Sequence, residues 1–85
     1  MITGSNRVFP HAGRDFHIQV EDLVAGDAIE VRVYDKGAVL FVKRFSYAEA
    51  VASAPERDDA IRTFMEKTIQ TVSAAIVKGK IGGSS

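Results

Sequence analysis

From residue 16 the chain alternates between apolar and polar positions. Phe16, Ile18 and Val20 are separated by His17, Gln19 and Glu21, the period of a strand with one buried face. Ile29, Val31 and Val33 alternate in the same way with Glu30, Arg32 and Tyr34. Asp35-Lys36-Gly37 then reads as a three-residue hairpin connection, with glycine where a left-handed residue is needed. The return strand is predicted from Ala38 to about Phe45. In this register Val33 faces Val39, Val31 faces Phe41 and Ile29 faces Lys43, while Arg32 lies opposite Leu40 and Glu30 opposite Val42. A two-residue turn at Lys36-Gly37 is the alternative, and it would exchange the two faces of the return strand. The first register is preferred because it turns Phe41 and Phe45 toward the core. Upstream, Met1 to Asn6 reads as a loose start and Arg7 to Phe9 as a short edge strand. Pro10 is expected to end that strand, with a turn from Pro10 to Gly13. Glu21 to Asp27 reads as a longer loop.

The period changes after residue 55. At 100° per residue, Ile61, Phe64, Met65, Thr68, Ile69, Val72, Ala75 and Ile76 fall in one arc, and Arg62, Thr63, Glu66, Lys67 and Gln70 fall outside it. This predicts a long amphipathic helix from Pro55 to Lys78. Thr68 lies inside the stripe, where its hydroxyl can bond the carbonyl one turn back. Ser53 and Glu56 stand in the S-x-x-E capping relation, as do Ser46 and Glu49, which predicts a short helix from Tyr47 to about Ala52. Glu56, Asp58 and Asp59 suit the positive end of the long helix and Lys78 the other. Asp58 and Arg62 form an acid-first pair four residues apart. Gly79 is the expected left-handed stop, and Ile81 is expected to fold back on the last turn. Residues 82–85 read as a flexible tail.

Strands first and helices last predict an α+β domain: an antiparallel meander of three or four strands, then a short helix and a long C-terminal helix packed on one sheet face. The expected core is Phe16, Ile18, Val20, Ile29, Val31, Val33, Phe41, Phe45, Ile61, Phe64, Met65, Val72 and Ile76. Eighty-five residues suffice for a single domain, one that buries only about 60–65% of its unfolded surface. A partner surface is compatible with so modest a core.

Charge narrows the function classes. Eleven basic side chains balance eleven acidic ones, six against six in residues 1–45 and five against five thereafter. Neither half is a polyelectrolyte, which disfavours nucleic acid, whose binding needs a basic face. Double-stranded-RNA-binding domains also combine a meander with a long helix, but they need a preceding helix and a basic helix start, whereas Glu56, Asp58 and Asp59 begin this one. The chain has no cysteine, hence no disulfide, thiolate nucleophile or Cys-based zinc site. There is no apolar run of about 18 residues, and Met1 to Phe9 lacks the apolar segment of a signal peptide. No membrane association is expected, and cytoplasm is the default compartment.

Candidate chemistry is sparse. His11 and His17 with Asp15 make an incomplete ligand set, and alternation places His17 on the polar face of its strand. Glu21, Asp22 and Asp27 lack the spacing of a calcium loop. No phosphate-binding glycine loop and no serine nucleophile motif occurs. No cofactor or metal is expected, and an enzyme is the least supported class.

The outer sheet face carries more content. Tyr34, Leu40 and Val42 are predicted there among Arg32, Glu30, His17 and Gln19, and the long helix covers only the opposite face. The leading expectation is a non-enzymatic interaction module, a homodimer or a binder of another protein, with Tyr34, Leu40 and Val42 as the patch and Arg32 and Glu30 as its rim. The plain alternative for this face is cover by the short helix or the N-terminal arm. The alternative function is nucleic-acid binding through Arg32, Lys43 and Arg44, with Phe41 and Phe45 close by.

Overall fold

The computed structural model describes residues 4–23 and 26–82. Four antiparallel strands form a meander in the order β1-β2-β3-β4: β1 (Gly4–His11), β2 (Arg14–Leu23), β3 (Ala28–Asp35) and β4 (Ala38–Ser46). The short helix α1 (Ala48–Ala52) and the long helix α2 (Arg57–Val77) follow. The fold is α+β, as the change of period in the sequence predicts. Among the described residues, no helix is long and apolar enough to cross a membrane. The loose start and the tail expected at the two ends lie in part outside the described residues; Gly4 to Asn6 belong to β1.

Two tight turns set the registers. Ala12-Gly13 and Lys36-Gly37 have positive φ at both positions, 52° and 77° and then 52° and 83°, the type I′ geometry whose twist matches paired strands. The first joins His11 to Arg14, so β1 runs through Pro10 rather than ending there. Its neighbour on the other side is solvent, and an edge strand tolerates the missing proline donor. β2 likewise continues to Leu23, into residues expected to be loop.

The second turn corrects the predicted hairpin. It has two residues, with Asp35 paired to Ala38 and Tyr34 to Val39. A register shift follows at Val33, which pairs with Phe41, so Leu40 is the extra residue of a β-bulge. Beyond it Arg32 faces Val42, Val31 faces Lys43, Glu30 faces Arg44 and Ile29 faces Phe45. The bulge restores the parity that the shorter turn removes. Phe41 and Phe45 therefore pack against the core, while Leu40 turns inward beside them. The expected placement of Leu40 on the outer face is wrong because the turn has two residues rather than three.

The buried stripe of α2 is Ile61, Met65, Thr68, Ile69, Val72 and Ile76, all within the predicted arc. Thr68 Oγ1 donates to the Phe64 carbonyl at 2.8 Å. Against this stripe pack Phe16, Ile18 and Val20 of β2 and Ile29, Val31 and Val33 of β3, each at most 2% exposed. Phe64, Phe41 and Phe45, expected in the core, are only partly buried at its margin. The largest fully buried side chain is Tyr47, which the capping motif had placed at the start of a surface helix. Its hydroxyl donates to Asp22 Oδ1 at 2.7 Å and accepts from Arg57 at 3.1 Å, and its amide donates to the Asp27 carbonyl at 2.9 Å. Burial, with Asp22 adding to it, raises the Tyr47 hydroxyl above its ordinary 10.0. Asp22 and Asp27, expected in a solvated loop, thus hold the end of the sheet to the start of α2.

The helix ends differ from expectation at one side only. Glu56 is the N-cap of α2 and makes no side-chain cap bond, while Ser53 closes α1. The Ser53–Glu56 capping box is absent because the chain bends between the helices at Ala54-Pro55. Ser46 Oγ accepts from the Ala48 amide at 3.3 Å, but the N-cap of α1 is Tyr47 and no side chain caps it, so the expected Ser46–Glu49 box is not formed either. Arg62 pairs at 3.4 Å with Asp59, three residues back, rather than with the expected Asp58. At the C-terminus Gly79 has φ +74°, its amide donates to Ile76 O and that of Lys80 to Ala75 O. These are the two bonds of a Schellman motif, and Ile81 is buried behind them. Arg14 secures this segment, donating to the Gly82 carbonyl at 2.6 Å and to Asp35 Oδ2 at 2.7 and 2.9 Å.

Two predictions follow from this packing. Tyr47→Ala is expected to cost about 3–5 kcal/mol, as for other buried aromatics, and Phe64→Ala clearly less; urea unfolding ranks the two. Gly79→Ala is expected to cost about 1–2 kcal/mol through its left-handed backbone, while Ser53→Ala leaves the melting temperature unchanged because its hydroxyl caps no helix.

Candidate functional site: the outer sheet face

Side chains alternate across a sheet, so the registers define its outer face. Three rows of four positions cross it. Val8, His17, Tyr34 and Val39 form the first, Asn6, Gln19, Arg32 and Val42 the second, and Gly4, Glu21, Glu30 and Arg44 the third. The bulge at Leu40 is what presents both Val39 and Val42 on this face. Among the described residues, four large apolar side chains are more than half exposed, and three of them are here: Val8 at 53%, Val39 at 54% and Val42 at 51%. Tyr34 lies between the valines of the first row, half-buried, with its hydroxyl 3.4 Å from Gln19 Oε1.

Among the described residues, neither predicted cover is in place. α1 packs beside α2, and the N-terminal segment from Gly4 is a strand of the sheet itself. The predicted patch Tyr34, Leu40 and Val42 loses Leu40 to the core side and gains Val39 and Val8. Val39 had been assigned inward through the wrong turn length. Val8 was passed over because Arg7 to Phe9 is too short a stretch to reveal which of its residues face the core. Arg7 gives that answer in three dimensions: it makes two bonds to Glu66 of α2, at 2.6 and 3.1 Å, and so points inward with Phe9.

Glu30 occupies an unusual position, with its side chain only 8% exposed on a face that no other element covers among the described residues. Arg32 and Arg44 lie along it. Arg32 approaches Oε1 at 2.7 and 2.8 Å and Arg44 Nε donates to Oε2 at 3.0 Å, so both carboxylate oxygens are engaged. The aliphatic stems of the two arginines shield the carboxylate while their heads stay wet. Arg44 first, and then Arg32, hold the Glu30 carboxyl below its ordinary 4.5 through these hydrogen bonds. Acidic exposed charge lies on β2, at Asp15 and Glu21, and basic charge on β3 and β4.

The residues of the nucleic-acid reading are divided between two faces. Arg32 and Arg44 share the outer face and both engage Glu30, whereas Lys43 lies on the inner side with its Nζ 5.3 Å from the centre of the Phe45 ring. Phe41 and Phe45 face inward as well. The histidines are also separated: His17 and Asp15 point outward, while His11 stacks on Phe9 on the inner side, ring centres 6.3 Å apart. Among the described residues, no three His, Cys, Asp or Glu side chains are grouped as metal ligands.

No protein-family model matches the chain, and neither a curated protein nor a solved structure matches it.

Glu30 gives the face a pH signature. In the unfolded chain its carboxyl takes up a proton near the ordinary glutamate value, and in the folded chain only below it. Its contribution to stability is therefore complete above that ordinary value and is lost as pH falls through the lowered folded one. The stability difference between wild type and Glu30→Gln, measured by urea unfolding, is expected to be constant near pH 7 and to shrink as pH falls below about 4.5. A difference that grew on acidification would contradict the arrangement.

Proposed function

We propose that this protein is a non-enzymatic interaction module that associates with a second copy of itself through the outer face of its sheet. The observation that supports this is the concentration of exposed valines there: Val8, Val39 and Val42 with Tyr34, on a face with no other cover among the described residues. Leaving these side chains in water forgoes about 1 kcal/mol each for the half that is exposed. A partner carrying the same patch removes it from water, and two-fold pairs are the commonest assembly. Arg32, Arg44 and Glu30 form a polar rim at one end, and Asp15 with Pro10 borders the other. Four strands span about 14 Å from first to last, a small interface, so the affinity is of micromolar order.

Sedimentation at several concentrations tests this. The wild type is expected to pass from monomer to dimer in the micromolar range, and Val39→Asp to stay monomeric with an unchanged melting temperature. Leu40→Asp, in contrast, is expected to destabilise the fold, because that side chain packs against the core. A wild type that stays monomeric up to about 1 mM overturns the proposal.

A further inference from the structure

We infer that the two copies stack their outer faces about a two-fold axis that runs along the strands between β2 and β3, so that β1 of each lies over β4 of the other. This rests on the reading of that face as the site of self-association. It follows from how the side chains are distributed from one edge of the sheet to the other.

Rotation about an axis parallel to the strands keeps height along the strand and exchanges left with right. Each row then meets the same row of the second copy in reverse order. In the first row Val8 meets Val39, and His17 meets Tyr34, each in both directions. The two most exposed apolar side chains of the face, at opposite edges of the sheet, thereby cover one another. In the second row Gln19 meets Arg32. In the third, Glu21 comes over Glu30 of the other copy, whose carboxylate is enclosed between Arg32 and Arg44; the Arg44 side chain is 70% exposed. Glu21 thus lies over a like charge with Arg32 and Arg44 beside it, and the match of the face to itself rests on the Val8–Val39 and Gln19–Arg32 pairs.

The other in-plane axis, across the strands, keeps left and right and reverses height. It sets Arg32 against Arg32 at the centre and Val39 against Arg44. Each axis brings one pair of like charges together, but this one also sets apolar groups against charged ones, which disfavours it. Stacked sheets pack about 10 Å apart with strands within about 30° of one another, so the pairs named are nearest neighbours across the interface.

Cysteine-directed cross-linking reads the axis, since the chain has no cysteine of its own. Val8→Cys and Val39→Cys chains are prepared separately and treated with a short bis-maleimide, alone and mixed. With the axis along the strands, residue 8 lies about 10 Å from residue 39 of the other copy but roughly 17 Å from residue 8. The mixture is expected to give cross-linked dimer and each variant alone to give several-fold less. Efficient cross-linking of Val8→Cys alone, with dimer still seen by sedimentation, overturns the axis and leaves the face. A monomeric wild type by sedimentation, with no cross-link in any sample, overturns the face itself.

Discussion

The parity of β4 is the constraint on which both faces of the sheet depend. A type I′ turn at Lys36-Gly37 joins β3 to β4 with two residues, and two residues alone would send Phe41 and Phe45 into water and Val42 into the core. One extra residue, absorbed at Val33, reverses this. Leu40 and Phe41 then both pack inward, and Val39 and Val42 both stand outward. The core margin gains Phe41 and Phe45 beside Leu40. The outer face gains Val42 beside Val39, and nothing else covers the pair among the described residues. The same bulge therefore serves stability on one side and creates the exposed patch on the other.

The helical layer is held to the sheet by more than apolar contact. Tyr47 lies where the chain leaves β4, and it engages Asp22 at the end of β2, Asp27 before β3 and Arg57 at the start of α2. Arg57 also lies over its ring, 5.4 Å from the centre. A phenol is suited to this point because its ring fills the core while its hydroxyl satisfies a carboxylate and a guanidinium. At the opposite end Arg14 joins β2, Asp35 and the Gly82 carbonyl, with its guanidinium 4.6 Å from the centre of the Phe16 ring. These two clusters close the ends of the layer that Ile69, Met65 and Val72 close in the middle. Polar groups committed in this way belong to the architecture.

Charge on that face is arranged as well as balanced. Glu30 neutralises part of two arginines and is shielded by them, so the basic edge is less basic than its composition suggests. Glu21 and Asp15 stand exposed on the neighbouring strand. The proposed self-association draws on the opposite signs of the two halves and on the valines at the borders, features that a polyanion would not match. Lys43, the third cation in the sequence cluster, does not join the other two, because adjacent residues of a strand face opposite ways.

Features that depend on local period were legible in the residues themselves. The alternation at Phe16–Val20 and Ile29–Val33 and the arc from Ile61 to Ile76 specified strands, helix, buried faces and the α+β order. Gly79 and Ile81 specified how the long helix ends. The tertiary structure decided what depends on one residue more or less, or on partners far along the chain. Turn length and bulge together placed Leu40, Val39 and Val42, and no period spans a bulge. Tyr47 became the largest buried side chain because Asp22, Asp27 and Arg57 converge on it from three elements. Ser53 lost its cap role to a bend between two helices. Val8 entered the candidate site only because Arg7, its neighbour, turns toward Glu66, fifty-nine residues away. Local pattern fixes which face of an element is apolar; which faces remain uncovered is a property of the assembled layers.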